Sequence, residues 1–350
     1  MTRPLRSDVF DPDEIGVYHC FNRIVRRSYL CGLDPLTGID YSYRRQWFYD
    51  RLRYLAGYFC IDVLAYAILS NHFHLVLRNR PDQVESLSDR QVVTRWLMIC
   101  PKSKRKPDGT ATDPSEAEIQ YELNRKGHVA ELRKRLSDPS WLLRQVCQHM
   151  GIRCNSEDSV RGHFWESRFG MDRLCDEADV LACLAYVDLN PIRAGMVESL
   201  EAYPYVSVGE RLRTLDDQPI ETGSWLSPLE LASETDGEQV AVVNRLSRAE
   251  LGELATESQP LGCLPITLPQ YAELLRWLAG GSFRDKLARK AETPAALVTL
   301  HLDPSEFAER VSQRASRVWV SACPPAAAIP TARGRPPGAS RGRVPVAGHG

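Results

Sequence analysis

The sequence predicts a small α+β domain built on a mainly antiparallel sheet. Residues 17 to 25 have the character of a strand, and residues 43 to 59 carry the apolar spacing of an amphipathic helix. Residues 61 to 79 form two β-rich runs that divide at Ser70-Asn71, which is typical of neighbouring strands joined by a tight turn. The order strand, helix, strand, strand favours the α+β class.

A polar and charged stretch follows these strands. Residues 81 to 137 include a basic cluster whose members are Lys102, Lys104, Arg105 and Lys106. We expect a mostly helical insertion at about residues 81 to 160 that contains a mobile loop. Asp138 and Pro139 together predict the start of a helix, because aspartate caps a helix and proline fits its first turn.

The segment after the insertion should return to the sheet and then enter another helix. Residues 162 to 174 are expected to be extended, and Asp176 is placed to cap the helix that follows. Pro191 predicts that this helix ends near Asn190, since proline disfavours helix at the residue before it.

Three regions are expected along the chain. Residues 1 to 205 form the main domain with its insertion, and residues 206 to 321 form a helical C-terminal extension. Residues 322 to 350 are dominated by proline, alanine, glycine and arginine, which predicts a disordered tail.

Bulk composition sets limits on function. Apolar residues make up 43% of the chain and charged residues 25%, which is ordinary for a globular protein. The formal net charge is -1, so nucleic-acid binding would have to rest on local basic patches. The N-terminus has no apolar core and the chain has no run of about 18 apolar residues, so we expect a cytoplasmic protein without a membrane span. None of the ten cysteines forms a CxxC pair, which leaves a zinc ribbon unsupported.

The pair His72 and His74 is the first candidate for chemistry. A strand alternates its faces, so both imidazoles point to one side while Phe73 points to the other. Two neighbouring imidazoles on a rigid strand can bind one metal ion. Two ordinary histidines on a half-exposed strand would give the same pattern.

Tyr186 and Asn190 are the second candidate. They lie one turn apart on the helix after Asp176, on a different face from the apolar stripe of Val180, Leu184 and Val187. A tyrosine and an amide stacked in this way could reach a shared site. A partly buried tyrosine beside a helix-ending asparagine is the alternative.

Aromatic residues interleaved with charge in residues 164 to 169 are the third candidate. Trp165 could stack on an unpaired base while Arg168 holds phosphate, or Trp165 could belong to the core. Arg23, Arg26, Arg27 and Arg193 are further candidates for phosphate contacts, together with the basic cluster.

These pieces together resemble the REP-associated tyrosine transposases, a branch of the single-tyrosine HUH nucleases. Four segments carry the resemblance in the right order, over roughly residues 15 to 205. They are Tyr18 to Arg23 (YHCFNR), Ser70 to Val76 (SNHFHLV), Gly162 to Phe169 (GHFWESRF) and Ala185 to Gly195 (AYVDLNPIRAG).

The resemblance implies a ferredoxin-like core, the HUH transposase core, in which the strand of the two histidines faces a helix that bears the tyrosine. It implies Tyr186 as the nucleophile and Mg²⁺ or Mn²⁺ held by His72, His74 and Asn190. Related transposases have a glutamine at the place of Asn190, so this chain offers the same carbonyl on a shorter arm. The implied substrate is single-stranded DNA beside a hairpin from repeated palindromic elements, and a homodimer that exchanges the tyrosine helix is one arrangement open to it.

Three functions remain open from the sequence. The chain could be an active strand transferase that forms a 5′-phosphotyrosine intermediate. It could be a domesticated protein that binds repeat hairpins without efficient catalysis. It could also be an unrelated metal hydrolase that uses the two histidines while Tyr186 only packs.

Overall fold

The computed structural model describes residues 6–25, 29–34, 37–102, 111–216, 225–230, 262–280 and 293–317. Its centre is a four-stranded sheet in the order β2-β3-β1-β4, in which each neighbouring pair is antiparallel. The strands are β1 (Val17–Arg23), β2 (Ile61–Ile68), β3 (His72–Asn79) and β4 (Gly170–Leu174). The expected α+β class with an antiparallel sheet is therefore confirmed.

Helices surround the sheet. They are α1 (Arg6–Val9), α2 (Arg44–Ala56), α3 (Pro81–Ser86), α4 (Asp89–Ile99), α5 (Glu116–Leu123), α6 (His128–Leu136), α7 (Pro139–Glu157), α8 (Glu177–Asp188), α9 (Asn190–Arg193), α10 (Ser207–Asp216), α11 (Leu268–Ala279), α12 (Ala295–Thr299) and α13 (Pro304–Arg317). Within the described residues, no helix is both long enough and apolar enough to cross a membrane.

The strand order places β1 and β3 side by side at the centre of the sheet. Helix α2 carries the chain from β1 to the far edge, where β2 forms, and β3 then returns between them. This is the split βαβ arrangement that a ferredoxin-like sheet requires. The predicted division near Ser70-Asn71 is confirmed, since the turn between β2 and β3 is closed by the Leu69 N–H donating to the His72 carbonyl at 2.9 Å.

The extended segment expected at residues 162 to 174 is a strand only in its last part. Its earlier part meets the end of β1 through single contacts, in which Val25 N–H donates to the Phe164 carbonyl and Glu166 N–H donates to the Arg23 carbonyl. Regular pairing begins only at Gly170, opposite Phe21.

The two faces of the sheet carry different side chains because residues alternate along each strand. Tyr18 and Cys20 face a core that contains side chains of α2 and α7. Phe21 and Val76 face a second core that α8 and the C-terminal helices complete. His19 and His74 lie on this second face, between apolar neighbours.

Both predicted helix caps are confirmed. The Asp138 carboxylate accepts a hydrogen bond from the Ser140 N–H at 2.7 Å, with Pro139 in the first turn of α7. The Asp176 carboxylate accepts one from the Asp179 N–H at 2.6 Å at the start of α8. Helix α8 ends at Asp188, close to the predicted position, and the chain continues into the short α9.

Helix α8 is buried beyond its first turn, and the expectation of a single apolar stripe was wrong. Every residue from Val180 to Asp188 is buried. Helix α13 packs along α8, and Arg314 of α13 pairs with Asp179 at 3.1 Å. The sequence pattern gave no sign of this cover because α13 lies far along the chain.

Asp188 fastens the end of α8 to the C-terminal extension. Its fully enclosed carboxylate accepts hydrogen bonds from the Ser207 hydroxyl at 2.5 Å, the Val208 N–H at 3.0 Å and the Tyr271 hydroxyl at 2.7 Å. Since a buried carboxylate without donors is costly, these partners hold α8 and α11 in one fixed arrangement.

Removing one of these donors should destabilise the protein. We expect Tyr271→Phe to lower the free energy of unfolding by about 1–3 kcal/mol, because a hydrogen bond to a buried charged group is lost. Urea denaturation measures this change. Tyr121→Phe is the matched control, since Tyr121 is 61% exposed, and it should leave stability unchanged. Equal stability of the two variants would contradict this role for Asp188.

Candidate functional site

His72 and His74 lie on the same face of β3, as strand alternation requires. Their ring centroids are 5.1 Å apart, and the rings meet edge to face. His74 is 1% exposed, whereas His72 at the start of the strand is only half-buried. The pair therefore runs from the protein interior towards one open end of the sheet.

Tyr186 of α8 packs against His74 of this pair. Its ring centroid is 5.2 Å from that of His74, and the two rings are nearly perpendicular. The side chain is buried, with 5% exposed. The fold thus brings a phenol beside an imidazole from a separate element, within one chain.

Asn190, in the first turn of α9, lies between the tyrosine and the open histidine. Its side chain is close enough to influence both groups: it acts to raise the pKa of His72 and to lower the pKa of Tyr186. The Asn190 amide therefore belongs to the same cluster.

A third histidine, His19, completes the cluster. It lies on β1, where Phe21 is directly opposite His74 and His19 is the next residue along on the same face. His19 Nε2 and His74 Nδ1 are 3.1 Å apart, and the rings stack with centroids 5.2 Å apart. The sequence interpretation gave no chemical role to His19. The available signal was strand alternation, which places His19 and Phe21 on the same face of β1.

Burial controls the protonation of the cluster. It lowers the pKa of His19 to about 3 and, with the charge of Arg23 adding to it, the pKa of His72 to about 4. Burial also puts the pKa of His74 well below its usual value. All three rings are therefore neutral at pH 7 and each offers one nitrogen lone pair.

Burial also favours the neutral form of Tyr186. It raises the pKa of the phenol to about 12, although Asn190, Arg193 and Arg23 each favour the phenolate. The tyrosine is neutral at pH 7 in this structure, so it needs further positive charge to become a nucleophile.

The residues present fit a divalent cation. His74 Nε2 is buried and has no hydrogen-bond partner, although a buried nitrogen normally has one. The other nitrogen of each ring is engaged, since His72 Nδ1 contacts Asn71 Oδ1 at 2.6 Å and His74 Nδ1 contacts His19. In the described part of the chain, no group of three or more His, Cys, Asp or Glu residues could hold a metal ion. The candidate set therefore depends on the Asn190 amide as a third donor.

Two arginines border the cluster. Arg23 lies directly across from His72 in the sheet and is half-buried. The Arg193 guanidinium on α9 is 5.9 Å from the centroid of the Tyr186 ring and lies on the exposed surface. Both were predicted as phosphate contacts, and both lie at the open end of the cluster.

Another predicted DNA contact, Lys102, has partners in the insertion. Lys102 pairs with the buried Glu122 and lies 4.3 Å from the Tyr121 ring centroid, which ties it to the insertion. The residues that fall outside the described part of the chain are Arg26, Arg27, Lys104, Arg105 and Lys106. Their role stays a prediction.

Trp165 has a clear packing role. Its indole N–H donates to the Cys147 carbonyl at 2.8 Å, and its ring meets Phe73 edge-on at 5.4 Å. The Trp165 side chain is half-buried, so the interpretation as a core residue holds only for the buried part of the ring. Base stacking by Trp165 stays a prediction, as does phosphate binding by the exposed Arg168.

A cleft runs beside this tryptophan. Its volume is about 510 Å³, and it lies between α7 and the segment from Gly162 to Arg168. The lining includes Gln148, Ile152 and Glu166, so it mixes hydrogen-bonding groups with apolar surface.

Comparison with known proteins gives one distant likeness. No family model matches the chain, and no curated protein matches it. The structure of a REP-associated tyrosine transposase bound to a REP hairpin is similar at 12% sequence identity, and the match covers 57% of this chain and 79% of that chain. The TM-score of this match is 0.33.

Gly170 on β4 should be needed for the packing of this face. A Cβ there would lie 2.4 Å from the Phe21 ring, which itself packs against His19 with centroids 5.1 Å apart. We expect Gly170→Ala to lower the free energy of unfolding by about 1–3 kcal/mol, as overpacking of a core does.

Chemical denaturation measures this effect, with Gly151→Ala as the control. A Cβ at Gly151, inside α7, would meet Phe164 at an ordinary 3.5 Å. That variant should gain about 1 kcal/mol, because alanine is the better helix former. A Gly170→Ala protein as stable as wild type would show that Phe21 is not held as described.

Proposed function

We propose that this chain is a metal-dependent DNA strand transferase that cuts single-stranded DNA beside a hairpin, with Tyr186 as its nucleophile. One observation carries the proposal. The Tyr186 ring packs against two imidazoles, with centroids 5.2 Å from His74 and 5.9 Å from His19, and the nearby Asn190 side chain favours its phenolate. A tyrosine that served only to fill the core would not need two imidazoles and an amide around it, since buried polar groups cost free energy.

The proposed reaction exchanges one phosphodiester bond for another. The phenolate oxygen of Tyr186 attacks phosphorus, and the bond from phosphorus to the 3′-oxygen breaks. The product is a 5′-phosphotyrosine link and a 3′-oxygen that takes a proton from solvent, while the phenolic proton goes to solvent. Attack by a second 3′-hydroxyl reverses these bond changes and rejoins the strand without an external energy source.

His72, His74 and Asn190 are the residues that would hold the cation. A bound Mg²⁺ or Mn²⁺ supplies positive charge that polarises a phosphate and favours the phenolate. The unpartnered Nε2 atom of His74 supports this assignment. Imidazole donors also suit Zn²⁺, so the choice of ion is a matter for titration.

The arginines at the open end are suited to the DNA backbone. Arg23 lies opposite His72 in the sheet and Arg193 lies beside the Tyr186 ring, so both could contact a phosphate that approaches these two residues. Arginine binds phosphate oxygens in a fork geometry. With a net charge of -1, the chain would draw DNA through this local charge.

Tyr186→Phe should abolish covalent capture of DNA. The assay uses single-stranded oligonucleotides that carry a palindromic hairpin, with Mg²⁺ or Mn²⁺, and detects a protein-DNA band that survives denaturing electrophoresis. Wild type should form the adduct, and the variant should bind DNA without forming it, because the attacking oxygen is gone. Tyr18→Phe is the matched control. Tyr18 is a buried tyrosine whose side chain faces the other core, so the loss of its hydroxyl should leave adduct formation unchanged.

Other outcomes point to the alternatives. Hairpin binding by wild type with no adduct under any metal condition would contradict the proposal and favour a DNA-binding protein. Metal-dependent cleavage that survives Tyr186→Phe would contradict it and favour a hydrolase.

The side chain at position 190 gives a second test, which concerns the proposed metal site. Asn190→Ala removes the proposed third metal donor and should lower the rate of adduct formation about 10–100-fold, with the loss partly offset by more Mn²⁺. Asn190→Gln keeps the carbonyl and should retain most activity. Chelation of the metal should stop the reaction in wild type, and added Mg²⁺ or Mn²⁺ should restore it. Equal rates for the alanine variant and wild type would remove Asn190 from the site.

A further inference from the structure

His19 has no part in the chemistry proposed above, yet the fold places it at the centre of the cluster. It is 1% exposed and sits on the central strand β1. Its nearest polar atom is a nitrogen of His74, at 3.1 Å. A buried histidine normally finds a carbonyl or carboxylate partner, and here the partner is another imidazole.

The short distance between the two nitrogens leaves two possible placements of hydrogen. A single hydrogen must lie between them, so one ring donates and the other accepts. If His74 Nδ1 donates, the His74 Nε2 atom carries a free lone pair. If His74 Nδ1 accepts, the hydrogen of neutral His74 lies on Nε2, and that atom can bind no cation.

The neighbouring histidine follows the first pattern. His72 Nδ1 lies 2.6 Å from the Asn71 side-chain oxygen, which can only accept, so His72 carries its hydrogen on Nδ1 and its lone pair on Nε2. For both rings, then, Nδ1 has a neighbour on the sheet. His74 Nε2 is left without any hydrogen-bond partner.

We infer that His19 is a positioning residue that accepts a hydrogen bond from His74 Nδ1 and so keeps His74 Nε2 free to bind the cation, as Asn71 does for His72. The inference rests on the proposed metal site. Metal-binding histidines generally donate their other N–H to a fixed acceptor, which sets both the tautomer and the ring orientation. A neutral imidazole can take the place of the usual carboxylate in this buried location and adds no charge to it.

The experiment measures the affinity for Mn²⁺ by the electron paramagnetic resonance signal of the free ion. His19→Leu removes the acceptor but keeps an apolar side chain, and it should weaken Mn²⁺ binding about 10–100-fold. His19→Gln keeps an acceptor at a similar reach and should bind Mn²⁺ nearly as tightly as wild type. Phe21→Leu is the packing control, because Phe21 lies on the same face of the same strand, and it should bind Mn²⁺ like wild type.

Two comparisons separate this inference from the proposed function. If wild type and His74→Ala bind Mn²⁺ equally weakly, the metal site itself fails and the inference falls with it. If wild type binds, His74→Ala does not, and His19→Leu binds as tightly as wild type, the metal site stands and the role of His19 is overturned. Loss of binding in both His19→Leu and His19→Gln, with Phe21→Leu unaffected, also overturns it, because an acceptor should suffice.

A second measurement needs no His19 variant and stays informative if His19→Leu fails to fold. Long-range proton-nitrogen correlation of wild type labelled at its histidine nitrogens, with Mg²⁺ present, reports which ring nitrogen carries hydrogen. The His74 signals are assigned by their absence in His74→Gln. Hydrogen on His74 Nδ1 is the expected result, and hydrogen on His74 Nε2 would overturn the inference.

Discussion

The burial of three imidazoles and a phenol between the sheet and α8 is the constraint on which this structure depends. Such groups are costly to enclose unless each polar atom has a partner. His19 and His74 satisfy one another, Asn71 satisfies one side of His72, and Asn190 lies close to both His72 and Tyr186. The buried His74 Nε2 has no hydrogen-bond partner, and it is one of the atoms that a cation at the proposed site would use.

The C-terminal extension makes this burial possible. Helix α8 would lie with one side uncovered if the chain stopped after α9. Instead α13 packs along it, and Asp188 is held by Tyr271 and Ser207 from the extension. Tyr186 therefore reaches the histidines of its own chain, and the cluster is complete without a second copy. The extension therefore affects the proposed chemistry indirectly, because it fixes the position of α8, the helix that carries Tyr186.

The sequence allowed much of the sheet to be predicted and less of the site. Strand alternation was enough to place His72 and His74 together, and the caps at Asp138 and Asp176 follow from local hydrogen bonding. The cover over α8 and the partner of His74 depend on contacts distant in sequence: His19 is 55 residues from His74, and Tyr271 is 83 residues from Asp188. Local patterns carry no information about such contacts. Trp165 shows the same limit, since its bond to Cys147 needs α7 to be in place.

Identifying the residue that carries DNA tests the central claim most directly. Mass spectrometry of the protease-digested adduct, formed on a hairpin-bearing single-stranded oligonucleotide, reads out the modified peptide. The account predicts a nucleotide joined through phosphate to Tyr186 and to no other residue. A phosphate link at a different side chain, or cleaved DNA with every tyrosine unmodified, would contradict it.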